Sequence, residues 1–179
     1  MSARVRNLAV ILAVVSTAAG VLTASSTGNE APASLGGAAG SPDIEFSQGV
    51  SWVGERLSSR AALLGSEVPV PRGSNFNGIR WNELGAGTDG DIRFLLQYTG
   101  ACQWLRHAVS VPADPFTAEI WAEIPQWPAM RLSGHGDAFV AAYDEVRAGH
   151  IEGSLLAQCV EAHEREVTYA RRAGVAPPL

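Results

Sequence analysis

Glu119 and Glu123 stand four residues apart with Trp121 between them, and on a helix that spacing sets both carboxylates on one face. A carboxylate pair beside an indole suits glycoside cleavage, in which one group donates a proton and the other attacks or activates water. Trp81 and Trp127 lie in Gly- or Pro-flanked segments, where exposed indoles form platforms for a glycan, a peptide or a protein. Trp81, Trp121, Trp127, Glu119 and Glu123 are therefore the candidate binding surface. The same residue types also suit a plainer arrangement, with indoles filling a core and carboxylates coating a solvated face.

Other patterns carry less. Gly85-Ala86-Gly87-Thr88-Asp89-Gly90 fits G-x-G-x-x-G, but the dinucleotide mechanism needs an apolar strand leading into the turn. Ile79-Arg80-Trp81-Asn82-Glu83-Leu84 is not one. The segment reads as a loop in which Asp89 or Asp91 caps the next helix. Glu83, Asp89 and Asp91 are cation-type ligands without the EF-hand spacing. His107, His135, His150 and His163 belong to neither an H-E-x-x-H nor an E-x-x-H pattern, so no metal is expected and no cofactor is implied. Ser133, His135 and Asp137 are the residue types of a hydrolase triad, crowded into five residues without a G-x-S-x-G elbow. A loop and a helix cap are expected there. All 13 basic residues are arginine, which excludes Schiff-base lysines, pyridoxal-phosphate anchorage and Walker-type phosphate loops.

Cys102 and Cys159, the two cysteines of the chain, are not part of a C-x-x-C motif. In an exported protein they suggest a disulfide; two buried free thiols are the alternative.

The elements that must position these residues read as helices. Ser41-Pro42-Asp43 has the composition of a helix start, and Phe46, Val50, Val53, Leu57 and Leu64 follow at helical spacing up to Gly65. After Asp91, Phe94, Leu95, Tyr98, Cys102, Leu105 and Val109 make an apolar face that Pro112 ends. Asp114-Pro115 opens a short helix through Trp121, closed by Pro125. Asp137 is expected to cap a fourth helix carrying Phe139, Val140, Tyr143 and Val146. The last helix spans about residues 151–172, with Leu155, Leu156, Cys159, Val160, His163 and Val167 inward. Val68 to Pro71 and Gly78 to Trp81 are the strand-like pieces. The expected fold is mainly α, a small bundle of four or five helices.

That domain, residues 43–174 with a tail at 175–179, follows an export segment. Arg4 and Arg6 precede an apolar run from Leu8 to Ala24, whose 17 residues sit at the lower limit for spanning a bilayer. Residues 1–24 are thus a signal peptide or an uncleaved transmembrane signal anchor. Residues 25–42 are a linker in which 15 of 18 residues are Gly, Ala, Ser, Thr or Pro. Residues 41–179 hold 11 arginines against 17 carboxylates, a net charge of −6, which disfavours nucleic acid as a partner. The expectation is an exported domain, secreted or held to the membrane through its N-terminal segment if uncleaved, that binds a protein or cell-envelope component without catalysis. The alternative is an envelope hydrolase acting on glycan or peptidoglycan through a carboxylate pair next to tryptophan.

Overall fold

The computed structural model describes residues 50–112 and 114–179. The export segment, the linker, the Ser41-Pro42-Asp43 helix start and Phe46 lie outside the described residues. Within them the chain is mainly helical: α1 (Gly54–Gly65), α2 (Asp89–Ser110), α3 (Pro115–Glu123), α4 (Pro128–Ser133), α5 (His135–Arg147) and α6 (Ser154–Ala173). Two short antiparallel strands, β1 (Trp52–Val53) and β2 (Ala86–Gly87), pair Trp52 with Gly87 and Val53 with Ala86. Single 3-10 turns occupy Trp81–Glu83 and Ile124–Gln126. No helix among the described residues is long and apolar enough to cross a membrane.

α2 is the axis of the bundle. Its start is a capping box: the Thr88 hydroxyl accepts from the Asp91 amide, and the Asp91 carboxylate accepts from the Thr88 amide at 2.9 Å. Thr88 is therefore the cap where Asp89 or Asp91 was expected, with Asp91 completing the reciprocal pair. The buried positions Ile92, Leu96, Gln97, Thr99 to Leu105 and Ala108 run around most of the helix circumference, more than the single stripe its apolar pattern predicts. Neighbours approach closely where side chains are small: a Cβ on Gly100 would stand 3.0 Å from Val68 Cγ1. Leu57 and Leu64 of α1, Ile124, Met130 of α4, Phe139 of α5 and Leu156 of α6 complete the core. Each such side chain contributes about 1.5–3 kcal/mol on leaving water. Cys102 and Cys159 form a disulfide with Cα atoms 5.1 Å apart, joining α2 to α6.

Several boundaries differ from the sequence reading. α1 begins at Gly54, and Val50 and Val53 are 69% and 56% exposed; β1 takes the residues before it, and Gly54 turns the chain with φ +54°. Neither Val68 to Pro71 nor Gly78 to Trp81 is a strand. Asp114 caps α3 through the Phe116 amide, with Pro115 at its first position, as its sequence implies. The additional helix α4 follows Trp127-Pro128, and its buried Ala129 amide donates to Gln97 Oε1 at 2.8 Å. A buried glutamine of α2 thus satisfies a helix-start donor that no local side chain reaches. Gly134 (φ +71°) both ends α4 and starts α5, so Asp137 lies in the first turn of α5 and is not its cap. On α6, Leu156, Cys159 and Ala170 are buried, whereas Val160 faces solvent.

Candidate functional site

The segment from residue 66 to 80 has little regular structure and is held in place by side chains of α2. Trp104 Nε1 donates to Pro69 O at 3.0 Å, and Gln103 Nε2 donates to Asn75 O at 2.8 Å. Gly78 rests directly on α6, where a Cβ would lie 2.4 Å from Glu166 Cβ; only glycine permits that approach. After α6 the chain folds back over the same segment. Asn75 Nδ2 donates to Pro177 O and Asn77 Nδ2 to Ala176 O, each at 3.1 Å, Arg106 donates to Leu179 O, and Pro178 is buried.

Two adjoining clefts result. The first, about 660 Å³, lies between α1, residues 74–82 and the end of α6, and none of its lining residues is charged. Small residues of α1 (Ser58, Ala61, Ala62) line one side, and Phe76, Ile79, Trp81, Asn82 and Tyr169 bring aromatic and amide groups to the other. The Tyr169 hydroxyl donates to Asn82 Oδ1 at 3.2 Å, joining the 3-10 turn to α6. The second cleft, about 650 Å³, shares Tyr169 and Ala173 with the first and is lined by Arg80, Arg165, Arg172, Glu83, Glu161 and Glu164. Arg80 pairs with Glu83 and Arg165 with Glu161, at 2.7 and 2.8 Å.

The five candidate residues do not converge. Trp81 is half-buried at the first cleft. Trp121 and Trp127 are 3% and 9% exposed and belong to the core, so the expected three-indole platform is corrected to one indole. Trp121 stacks on Tyr143 with ring centroids 4.6 Å apart, and Trp127 lies against α2 at Gly100. Trp121 lies on α3 and Trp127 in a Pro-flanked segment, and apolar burial of both large rings realises the core-filling arrangement for these two indoles. Glu119 and Glu123 are exposed on α3, while the indole between them in sequence turns inward.

The remaining motifs are absorbed by structure. Asp89 accepts from Trp52 Nε1 at 2.7 Å and from Arg60 Nε at 2.9 Å, and the Arg60 guanidinium, followed by the indole, holds its carboxyl below the usual range. Glu83 pairs with Arg80 and Asp91 with Thr88. His107 Nε2 lies 2.7 Å from Asp114 Oδ2, and this imidazole, followed by the Phe116 amide, lowers the Asp114 pKa. His135 meets Phe94 and Tyr98 edge to face, and the Ser133 hydroxyl donates to Met130 O. No group of three potential metal ligands occurs among the described residues.

Sequence reasoning missed a polar cluster beside the first cleft. Burial pushes the Glu166 carboxyl up to about 7, against the pull of Arg106 and Arg165. Burial, together with Arg106, lowers the His163 pKa, and Gln103 Oε1 and His163 Nδ1 are buried without a hydrogen-bond partner among the described residues. Tyr169 and Asn82 were also given no role, since single tyrosines and asparagines carry no spacing signal. No family model, curated protein or solved structure matches the chain.

Proposed function

We propose that this chain is an exported helical module, released or held by its N-terminal segment, that binds a cell-envelope component without converting it. The observation that carries this reading is the uncharged cleft at Trp81, where an indole, a phenol and unspent polar groups share one wall system. Such a mixture of aromatic surface and a few orienting polar groups suits ligand binding. A protein partner was an equal expectation from sequence; the concave, amide-bearing form of the cleft favours a smaller or thinner ligand. Support for the hydrolase alternative is weaker. Glu119 and Glu123 are exposed, Trp121 is buried away from them, and the raised carboxyl of Glu166 lines neither cleft.

The test is sedimentation of the purified extracytoplasmic chain with isolated cell-wall material. Wild type is expected in the pellet, and Trp81→Ala in the supernatant. Turnover of wall substrate, lost in Glu119→Gln or Glu123→Gln, would instead establish the hydrolase.

A further inference from the structure

Resting on that binding reading, we infer that the two adjoining clefts take a glycan carrying a short charged peptide. The sugar lies in the uncharged cleft and the peptide in the charged one. The partition of charge carries the argument. Fifteen residues line the first cleft without one ionised group, whereas six of the nine lining the second are Arg or Glu. A ligand that follows both has a neutral polar part joined to a zwitterionic part.

In the first cleft Trp81 and Tyr169 contribute aromatic rings to the lining, the group type that packs on the apolar face of a pyranose. The Ser58 and Ser74 hydroxyls and the Asn82 amide nitrogen have no partner among the described residues and remain able to bond sugar hydroxyls. In the second cleft Arg172 and Glu164 make no ion pair among the described residues, leaving one cation and one carboxylate to meet a peptide's carboxylate and amine. The flanking pairs Arg80–Glu83 and Arg165–Glu161 are half-exposed or more, and exposed pairs of this kind exchange partners at little cost. Three carboxylates oppose a polyanion and three arginines a polycation. Each cleft has the volume of a single ligand site.

Calorimetric titration of the exported chain with three probes tests the inference: a disaccharide-peptide fragment of peptidoglycan, the same disaccharide without peptide, and the free peptide. The disaccharide-peptide is expected to bind at least about tenfold more tightly than either part. Arg172→Ala, an exposed change that leaves the core untouched, should bring it down to the bare disaccharide and leave the disaccharide itself unchanged. Trp81→Ala should weaken both sugar-bearing probes by about tenfold, and Trp81→Phe, which keeps a ring, by less. Equal affinity with and without peptide, or an Arg172→Ala variant indistinguishable from wild type, overturns the inference. So does a protein crosslinked at Tyr169 in a chain that binds none of the three probes. Wall sedimentation separates the two levels. Pelleting lost in Trp81→Ala but kept in Arg172→Ala, with no gain from the peptide in titration, keeps the binding reading at the Trp81 cleft and removes the two-cleft assignment; pelleting that survives Trp81→Ala, or its absence in wild type, removes both.

Discussion

Burial displaces the Glu166 carboxyl well above the ordinary glutamate range, and its pH behaviour follows from that. Its carboxyl titrates near 4.5 when the chain is unfolded and at about 7 in the fold. Between those values the native state holds a proton that the unfolded state has released, so its contribution makes stability fall as pH rises through this window. Asp89 and Asp114 act oppositely, since their lowered pKa values add stability that is lost as pH falls below the ordinary aspartate range. His163, kept neutral by burial, also disfavours the fold as pH falls below about 6.5. The Glu166 effect is isolated by comparing wild type with Glu166→Gln in urea unfolding across pH. The two should agree below about pH 4.5, diverge between there and pH 7 and stay apart above it, with the glutamine variant then more stable by on the order of 2–3 kcal/mol; a constant difference across this window would refute this. Asp89 offers a second test. Arg60→Ala leaves a part-buried carboxylate with the Trp52 indole and the charge of Arg93, and a loss of stability in urea unfolding is expected at pH 7, shrinking at pH 3 as the carboxylate takes up protons.

The α2–α6 disulfide closes a separation of 57 residues, which on the chain-entropy account stabilises by about 4 kcal/mol. Cys102→Ala with Cys159→Ala is expected to lose about 2–4 kcal/mol in chemical denaturation, and reduction of wild type should reproduce most of that loss. This pairing was legible from the count, two cysteines behind an export segment suggesting a disulfide with buried free thiols as the alternative. α3 was legible too, because Asp114-Pro115 is a local signal read by local geometry. α1 was not: the Ser41-Pro42-Asp43 signal and the apolar spacing through Val50 and Val53 suggested one long helix, yet pairing of Trp52–Val53 with Ala86–Gly87 claims those residues. Sequence periodicity does not report a partner more than thirty residues away. The plainer arrangement, indoles in a core beside solvated carboxylates, is the one the fold takes for Trp121 and Trp127; residue type alone did not decide between it and a platform, because the hydrophobic surroundings come from α2 and α5.

The cleft walls come from α1, from the segment around Asn75 to Asn82 and from the last turns of α6, three stretches whose small and amide residues look unremarkable one at a time. Their assembly depends on the residues after α6, which Asn75 and Asn77 clasp by backbone carbonyls. Asn75→Ala with Asn77→Ala is expected to speed amide exchange at residues 73–79 and 174–176 by about tenfold or more while leaving α2 protected; unchanged exchange would show the clasp to be redundant. The covalent bond between α2 and α6 has another consequence for the molecule. Positions 103–158 lie within a closed ring of chain, so the exposed connection from Ala148 to Glu152 is expendable as a backbone link. A trypsin nick after Arg147 would give two fragments on a reducing gel and one species on a nonreducing gel, with α6 retained by sulfur instead of peptide.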